Sequence, residues 1–389
     1  MQFTINLSKK IFIFLIIFLT FDIIFFSLIP KKIKSELYNN RAHRIKSYFY
    51  HHDLRPMASF YDHWGYERYK IYTNNLGFKD KSNRKIEFNV RNLLFIGDSF
   101  TEGVGLKYGE TYVGIIENEL KKKYSNIEVL NAGVQSYSTS IYLSKIYHLI
   151  ERKKLPITDI VVMISGGDVF DDAYKYKDVS KEFILNHVDQ KNKAIISIIN
   201  FYKSNTLTYQ LISRITPPKV IPELIKSLFE NKSKSTNYTE QEEKLFQISN
   251  SEIDQMNFMN LKDYSYLYSE QEFNDWGKKA IDQSIDNLER IIKISKKNNI
   301  NLNVLYIFEP ILILKHPKEK QLNYLLSKLK DLEKNNVKVN FIRDYYYNFE
   351  NKYDAYRNLF FINDIHWNKR GNSFVAKEIL NKIQFFLIE

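Results

Sequence analysis

Cysteine is absent from this chain of 389 residues. Disulfide bonds, cysteine nucleophiles, cysteine-ligated zinc sites and iron–sulfur clusters are therefore excluded, and any nucleophile must be an oxygen or a nitrogen atom. Glycine and proline are scarce, with 12 and 8 residues, whereas 44% of the chain is hydrophobic. This composition excludes collagen-like and extensively disordered chains and predicts a folded body with a sizeable core.

Positive charge is in excess, because 57 lysines and arginines face 45 acidic residues and leave a net charge of +12. Such an excess could suit nucleic acid or an anionic membrane surface. The lysines are nevertheless spread along the whole chain, and no helix-turn-helix, zinc or aromatic RNA-binding motif accompanies them. We therefore predict a solvated basic surface and no nucleic-acid partner.

Three histidines, His51, His52 and His63, are the nearest approach to a metal-binding cluster in the sequence. Adjacent histidines point to opposite sides of a strand and lie about 100° apart on a helix, so they do not converge on one ion. We therefore predict no metal site and no other cofactor.

One long hydrophobic run lies near the N-terminus. Residues 11–29 are isoleucine, phenylalanine or leucine except for Thr20, Asp22 and Ser27. This length can span a bilayer, and the apolar side chains outweigh one aspartate at about +3 kcal/mol. Pro30 and two lysines follow directly, without the small residues of a signal-peptide cleavage site. We predict a short tail over 1–10 and an uncleaved transmembrane anchor over 11–30.

The remaining chain divides into three kinds of sequence. Residues 31–90 are rich in tyrosine and histidine without helical or strand periodicity, which predicts an irregular stem. Residues 91–172 and 276–389 alternate short apolar runs with helical stretches, which predicts an α/β three-layer sandwich with a central parallel sheet. Between them, residues 173–275 lose this alternation and are predicted to form a mostly helical insertion.

The individual elements can be placed from their spacing. Strands are predicted at 93–96, 127–130, 160–164, 302–308 and 339–342, and helices at 110–123, 138–152, 317–335 and after 371.

Residues suited to catalysis follow three of these strands at once. The segments 97–103, 131–133 and 165–168 read GDSFTEG, NAG and SGGD. Because the carboxyl ends of parallel strands meet at one edge of a sheet, these segments should lie together. A fourth segment, 363–368, reads NDIHWN and precedes the last helix.

Together these segments contain the parts of an acyl-transfer site: a nucleophile, a base, an orienting carboxylate and amides for an oxyanion. Ser99 would be the nucleophile, and the amides of Ser99 and Gly133 would be oxyanion donors. His366 would be the base. The alternative for Ser99 alone is an ordinary helix N-cap.

The four segments resemble the blocks of the SGNH, or GDSL-type, serine hydrolase family, over roughly 90–172 and 276–389. The resemblance implies a flavodoxin-like fold, with Ser99 as nucleophile, Gly133 as oxyanion donor, His366 as base and Asp364 as its partner. The final block resembles the Asp-x-His-Trp-Asn form of membrane-anchored bacterial members. Residues 72–80, YTNNLGFKD, also resemble the region before the first block in that subgroup.

Two departures from the family pattern stand out. The third block of the family reads Gly-x-Asn-Asp, and its asparagine donates to the oxyanion. Here Gly167 takes that position of the implied oxyanion hole and precedes Asp168. Losing such a donor costs on the order of 3 to 4 kcal/mol. Commoner members place the acid three residues before the histidine, where this chain has Asn363. Asp98 and Asp168 therefore remain alternative or supporting carboxylates.

The sequence thus predicts a serine esterase or O-acyltransferase acting on acyl esters, with cell-envelope glycans as the substrates that the anchor and the resemblance imply. The alternative is a weak or inactive hydrolase-like domain that binds a glycan or a protein.

The predicted location is the inner membrane, in a single pass. The flanking lysines favour a cytoplasmic body, but long domains translocate largely regardless of charge, and anchored relatives of the resembled family face outward. We therefore place the body on the extracytoplasmic side.

Overall fold

Short apolar runs supply the strands of the computed structural model, which describes residues 2–30, 33, 43–64, 67–177, 179, 190–212, 248–256 and 261–383. The strands are β1 (Arg44–Lys46), β2 (His52–Leu54), β3 (Ser59–Trp64), β4 (Glu67–Thr73), β5 (Lys79–Asp80), β6 (Arg91–Ile96), β7 (Ile127–Asn131), β8 (Asp159–Ile164), β9 (Asn301–Ile307) and β10 (Lys338–Ile342). The last five include all the strands predicted from the sequence.

The centre of the sheet is parallel. Strands β10, β9, β8, β6 and β7 are neighbours in that order, and every pair among them runs parallel. Every residue of β7 and β8 is buried, as expected for strands covered on both faces. The chain goes from β6 to β7 on one side and then crosses to β8 on the other, so the carboxyl ends of β6 and β8 flank a topological switch point.

The sheet as a whole is mixed, which corrects the prediction of a parallel sheet. Strands β5, β4 and β3 extend it antiparallel beyond β7, and β1 pairs with β2 in a separate small sheet. The expectation of an irregular stem is therefore wrong for the described part of 31–90. Phe60, Tyr69 and Ile71 are buried, but Tyr61 and Tyr72 on the opposite face are also aromatic, so hydropathy does not alternate.

Helices connect and cover the strands. They are α1 (Gln2–Leu28), α2 (Ser99–Glu102), α3 (Tyr112–Lys123), α4 (Thr139–Tyr147), α5 (Gly166–Tyr174), α6 (Gln190–Asn205), α7 (Leu207–Ile212), α8 (Asn250–Gln255), α9 (Ser265–Tyr268), α10 (Glu270–Glu272), α11 (Lys278–Lys297), α12 (Pro310–Leu314), α13 (Glu319–Asp331), α14 (Lys352–Leu359) and α15 (Lys369–Lys382).

The helices form two groups. Helix α3 packs on α15, whereas α4 and α5 pack on α11. The crossover from β6 to β7 runs in one direction across the sheet, and those from β7 to β8 and from β8 to β9 run in the other. Right-handed crossovers in opposite directions place the two groups on opposite faces of the sheet, giving three layers. The elements described within the predicted insertion, 173–275, are helical, and its residues 213–247 lie outside the described residues.

Helix α1 contains the predicted anchor. Its stretch Lys9–Leu28 has 20 residues and a mean hydropathy of 2.8, and little of it is buried. By length and composition this stretch could cross a membrane, and a signal sequence has the same properties.

Buried polar contacts fasten the N-terminal strands to the parallel core. Arg44 in β1 binds the buried carboxylate of Glu102 in α2 through two hydrogen bonds, of 2.6 and 2.8 Å. Burial alone would raise the pKa of Glu102, but Arg44 and Lys79 outweigh it and hold that pKa below its ordinary value. Lys79 in turn donates to the carbonyls of Gly103 and Leu106, at 2.8 and 2.6 Å.

Replacing Arg44 with alanine should destabilise the fold by about 3 to 5 kcal/mol, because it leaves the Glu102 charge buried without its partner. The matched control is Lys122→Ala, which removes an exposed pair with Glu119 and should cost less than about 1 kcal/mol. Denaturant unfolding of both variants in the same detergent measures the difference. Equal midpoints for the two variants would contradict the bracing role of Arg44.

Candidate active site

Ser99 lies at the turn between β6 and α2. Asp98 is the N-cap of this helix, since its Oδ1 accepts the amide of Phe100 at 2.9 Å. Ser99 is thus the first helical residue and not the cap. A side chain at Gly97 would place its Cβ 2.0 Å from Oγ1 of Thr101, so the tight turn requires glycine there.

The predicted triad residues lie within hydrogen-bond distance of one another. The Nε2 atom of His366 lies 2.7 Å from the Ser99 hydroxyl oxygen, and its Nδ1 atom lies 2.5 Å from Oδ1 of Asp364. The side chains of Ser99 and His366 are buried, and that of Asp364 is partly exposed. This is the order of contacts that a serine nucleophile, its base and an orienting carboxylate need.

A tight loop after α14 holds Asp364 against the histidine. Asn363 adopts a positive φ of 56°, and the Tyr356 hydroxyl donates to the carbonyl of Asp364 at 3.1 Å. The amide of His366 then donates to Asp364 Oδ1 at 2.7 Å, so one carboxylate oxygen faces both the backbone and the ring of His366. A spacing of two residues between acid and base is therefore sufficient in this loop.

Two aromatic side chains enclose the His366 ring. Trp64 meets it edge to face at 5.0 Å between ring centroids, and Phe100 lies 5.1 Å away. Trp64 comes from β3, so the N-terminal extension contributes directly to the site. The buried indole nitrogen of Trp64 has no hydrogen-bond partner among the described residues. Nothing in the sequence around Trp64 indicates this contact.

The three predicted oxyanion donors differ in their surroundings. The described residues offer the Ser99 amide no acceptor. The amide of Gly133 donates to Oδ1 of Asn131 at 3.0 Å, and the amide of Gly167 donates to Oε1 of Glu309 at 3.3 Å. The Gly133 and Gly167 amides would have to leave these acceptors before they could bind a substrate oxygen.

Glu309 is a site residue that the sequence reasoning missed. It follows β9 and is fully buried, with its carboxylate accepting the amides of Gly166 and Gly167 and the hydroxyl of Tyr264, the last at 2.8 Å. Burial raises the pKa of Glu309 to about 7. Its position could have indicated this, because residue 309 directly follows the predicted strand 302–308, whose carboxyl end lies at the same edge of the sheet as Ser99.

Asp98 and Asp168 lie beside the triad without binding its histidine. The hydroxyl of Ser165 can donate to Asp98 Oδ2 at 3.2 Å, while Asp168 accepts the Ser165 amide and the Tyr142 hydroxyl at 3.1 and 3.0 Å. Burial raises the pKa of Asp98 to about 6. Burial also raises the pKa of Asp168, and the charge of Asp98 adds to this effect.

The described part of the chain contains no group of three histidine or acidic side chains that could hold a metal ion. The groups at this edge of the sheet include the Ser99, His366 and Asp364 side chains and the backbone amides around them.

Comparison with known proteins gives low structural likenesses, including those to TesA, EstA and Axe2. No family model and no curated protein matches the chain. The structure of TesA has a TM-score of 0.40 at 9% identity, covering 76% of this chain and all of TesA. The esterase EstA from Pseudoalteromonas sp. has a TM-score of 0.39 at 13% identity, covering 76% and 98% of the two chains. Axe2, an acetylxylan esterase from Geobacillus stearothermophilus, has 0.39 at 12% identity, covering 77% and 97%.

If Asp364 orients His366, Asp364→Asn should reduce turnover of an activated acetyl ester by up to about four orders of magnitude, because asparagine favours the wrong imidazole tautomer. Asp168→Asn is the matched control, since that carboxylate contacts Ser165 and Tyr142 and not His366. Its rate should change by less than about threefold. Steady-state turnover of both variants decides the matter, and an unaffected Asp364 variant would remove Asp364 from the triad.

A buried acid with a raised pKa destabilises the fold as pH rises, because the unfolded state then releases its proton more readily. For Glu309 this loss should develop between about pH 4 and pH 7 and reach roughly 3 kcal/mol. Glu309→Gln has no proton to release, so the difference in unfolding free energy between variant and parent should shift in favour of the variant across this range. Parallel pH curves for the two proteins would show that Glu309 does not titrate in that range.

Proposed function

We propose that this protein is a serine esterase or O-acyltransferase that forms an acyl-enzyme on Ser99. The observation that carries the proposal is the pair of contacts made by His366, at 2.7 Å to the Ser99 hydroxyl and 2.5 Å to Asp364. A side chain that only capped a helix would not need a buried imidazole at its hydroxyl, and Asp98 already caps α2.

In the proposed reaction, Ser99 Oγ bonds to the ester carbonyl carbon while His366 Nε2 takes the hydroxyl proton. Asp364 stabilises the imidazolium through Nδ1. The tetrahedral intermediate collapses, the bond to the alcohol oxygen breaks, and His366 returns the proton to the leaving alcohol. Water or a sugar hydroxyl then attacks the acyl-enzyme, His366 takes its proton, and Ser99 leaves with that proton restored.

The amides of Ser99 and Gly133 are the proposed donors to the developing oxyanion. Gly133 must release Asn131 to do so, while Gly167 lacks the side-chain amide of the family pattern and its own amide faces Glu309. One missing donor is worth about 3 to 4 kcal/mol, or roughly 10² to 10³ in rate. We therefore expect slow turnover compared with an enzyme that has a complete oxyanion hole.

The amides of Gly133 and Gly167 already donate to Asn131 and Glu309, which favours a second candidate function. This is a catalytically weak domain that binds a glycan or a protein at the same edge of the sheet. The intact contacts between Ser99, His366 and Asp364 argue against it, because binding alone does not require an activated serine.

The proposed setting is the extracytoplasmic face of the inner membrane, with α1 as a single-pass anchor and acyl esters of cell-envelope glycans as substrates. Support for the anchor comes from the length and apolar character of Lys9–Leu28. The substrate class and the membrane face rest on the family resemblance of the sequence together with that anchor.

A fluorophosphonate probe separates the two candidates, because it modifies a serine only when a neighbouring base activates the hydroxyl. We expect covalent labelling of the parent protein at Ser99 and none in Ser99→Ala. The control is Ser373→Ala, which alters an exposed serine in α15 and should label normally. Mass spectrometry of the labelled peptide identifies the site, and an unlabelled parent that still unfolds cooperatively would favour the binding domain.

A further inference from the structure

Helices α6 and α7 expose a cluster of apolar side chains. Of the nine large hydrophobic residues that are exposed outside α1 in the described chain, five belong to these two helices, and each is between 46% and 67% exposed. They are Ile195, Ile198, Phe201, Leu211 and Ile212. Such a concentration in one short segment marks an interaction surface and not the scattered exposure of a normal surface.

This segment is seated against α1 through Asp22. The Asp22 carboxylate accepts the amides of Leu207 and Thr208 at 3.0 and 3.1 Å, and these are the first two residues of α7. An aspartate in an apolar span is costly when unpaired. Here its charge meets the unsatisfied amides at a helix start, so Asp22 serves to bind α7 to the side of α1.

The position of Asp22 sets the depth of this contact. Asp22 lies six residues before Leu28, the last residue of α1, which at 1.5 Å per residue is about 9 Å along the helix axis. Helix α7 therefore begins beside the apolar part of α1 and not beyond its end. Tyr202, Lys203 and Tyr209 lie in the same segment, and these are residue types of the lipid–water boundary.

The other side of the segment is tied to the body. The side chain of Asn200 in α6 accepts the amide of Lys46 at 3.3 Å and donates to its carbonyl at 3.0 Å. Lys46 belongs to β1, the strand that also carries Arg44. Since Arg44 binds Glu102 in α2, the segment is linked through one short strand to the helix that carries Ser99.

We propose that residues 190–212 form a second membrane element, inserted at the lipid interface beside α1 with the apolar side chains of α6 and α7 in contact with lipid. The break at Thr206 leaves two helices too short to span a bilayer, so the element lies at the interface. The inference rests on the proposed anchoring by α1. It adds a second attachment that fixes the catalytic body against the bilayer surface.

The absence of cysteine makes a direct test possible, because one introduced cysteine can carry a single fluorescent label. The full chain is reconstituted in phosphatidylcholine–phosphatidylglycerol vesicles with a label at Ile198 or Leu211. Ile17 on α1 is the lipid reference, and Lys334 on the body, 78% exposed, is the aqueous control. Quenching is measured with a nitroxide-bearing lipid and, separately, with aqueous iodide.

We expect the labels at Ile198 and Leu211 to be quenched by the nitroxide lipid at least half as strongly as the label at Ile17, and the label at Lys334 by iodide alone. If the label at Ile17 is quenched by the nitroxide lipid while those at Ile198 and Leu211 are quenched by iodide, the inference is overturned and the anchoring by α1 is supported. Shielding of Ile198 and Leu211 from both quenchers would mean that protein covers them, which also overturns it. Quenching by iodide at all three positions overturns the anchor as well. Lipid quenching at Ile198 and Leu211 with iodide quenching at Ile17 also overturns the inference, because the proposed element lies beside a membrane-embedded α1.

A second arm tests the contact made by Asp22. Asp22→Leu removes the acceptor of the α7 amides and should at least double iodide quenching at Leu211, while quenching at Ile17 stays as it was. Asp22→Asn retains one acceptor oxygen and should behave like the parent. Equal quenching at Leu211 in all three proteins would contradict the seating of α7 by Asp22.

Discussion

The site depends on one hydrogen bond, from the Ser99 hydroxyl to His366, which joins segments 267 residues apart. The residues that follow His366 stabilise this contact. Trp367 is fully buried, packs 4.7 Å from the ring of Phe100 and donates to the Tyr345 hydroxyl. Asn368 caps α15 by accepting the amide of Gly371 at 2.9 Å. The final segment thus positions His366 through a buried aromatic contact and a helix start. Trp367 and Asn368 therefore each have a structural role.

Gly167, where the resembled family pattern has an asparagine, lies in crowded surroundings. A Cβ at Gly167 would lie 3.3 Å from the Tyr264 hydroxyl, and one at Gly166 would lie 3.1 Å from the same ring. Tyr264 and Glu309 therefore crowd the space that a larger side chain would enter, and their polar atoms meet each other and the two glycine amides. An asparagine introduced at position 167 alone would place its amide against this cluster. The glycines, the tyrosine and the glutamate form one packed polar cluster at the carboxyl end of β8.

The sequence predicts those parts of the molecule in which spatial neighbours follow from regular secondary structure. Parallel strands end at one edge, so the positions of Ser99, Gly133 and Gly167 could be placed together before the fold was known. The antiparallel strands escaped it because aromatic residues occupy both faces of β3 and β4. Arg44, Trp64 and Asp22 escaped it for another reason, since each acts through a partner more than 50 residues away that no local pattern indicates. What the sequence could not predict were tertiary contacts between distant residues, and these were polar and aromatic contacts more than the packing of the hydrophobic core.

Polar contacts, most of them at least partly buried, form a continuous connection between the proposed membrane segments and Ser99. Asp22 binds α7, Asn200 binds β1, and Arg44 on the same strand binds Glu102 one turn after Ser99. The Asp22 and Arg44 contacts are partly buried and involve backbone or charged groups that would be costly to leave unpaired there, whereas the Asn200 contact with Lys46 is exposed. Directional hydrogen bonds and ion pairs fix the distance and orientation between the elements that they join, whereas apolar packing alone fixes them less strictly. In the proposed arrangement Ser99 would lie at a fixed distance from the membrane surface. Its substrates would then be restricted to acyl groups presented at that distance.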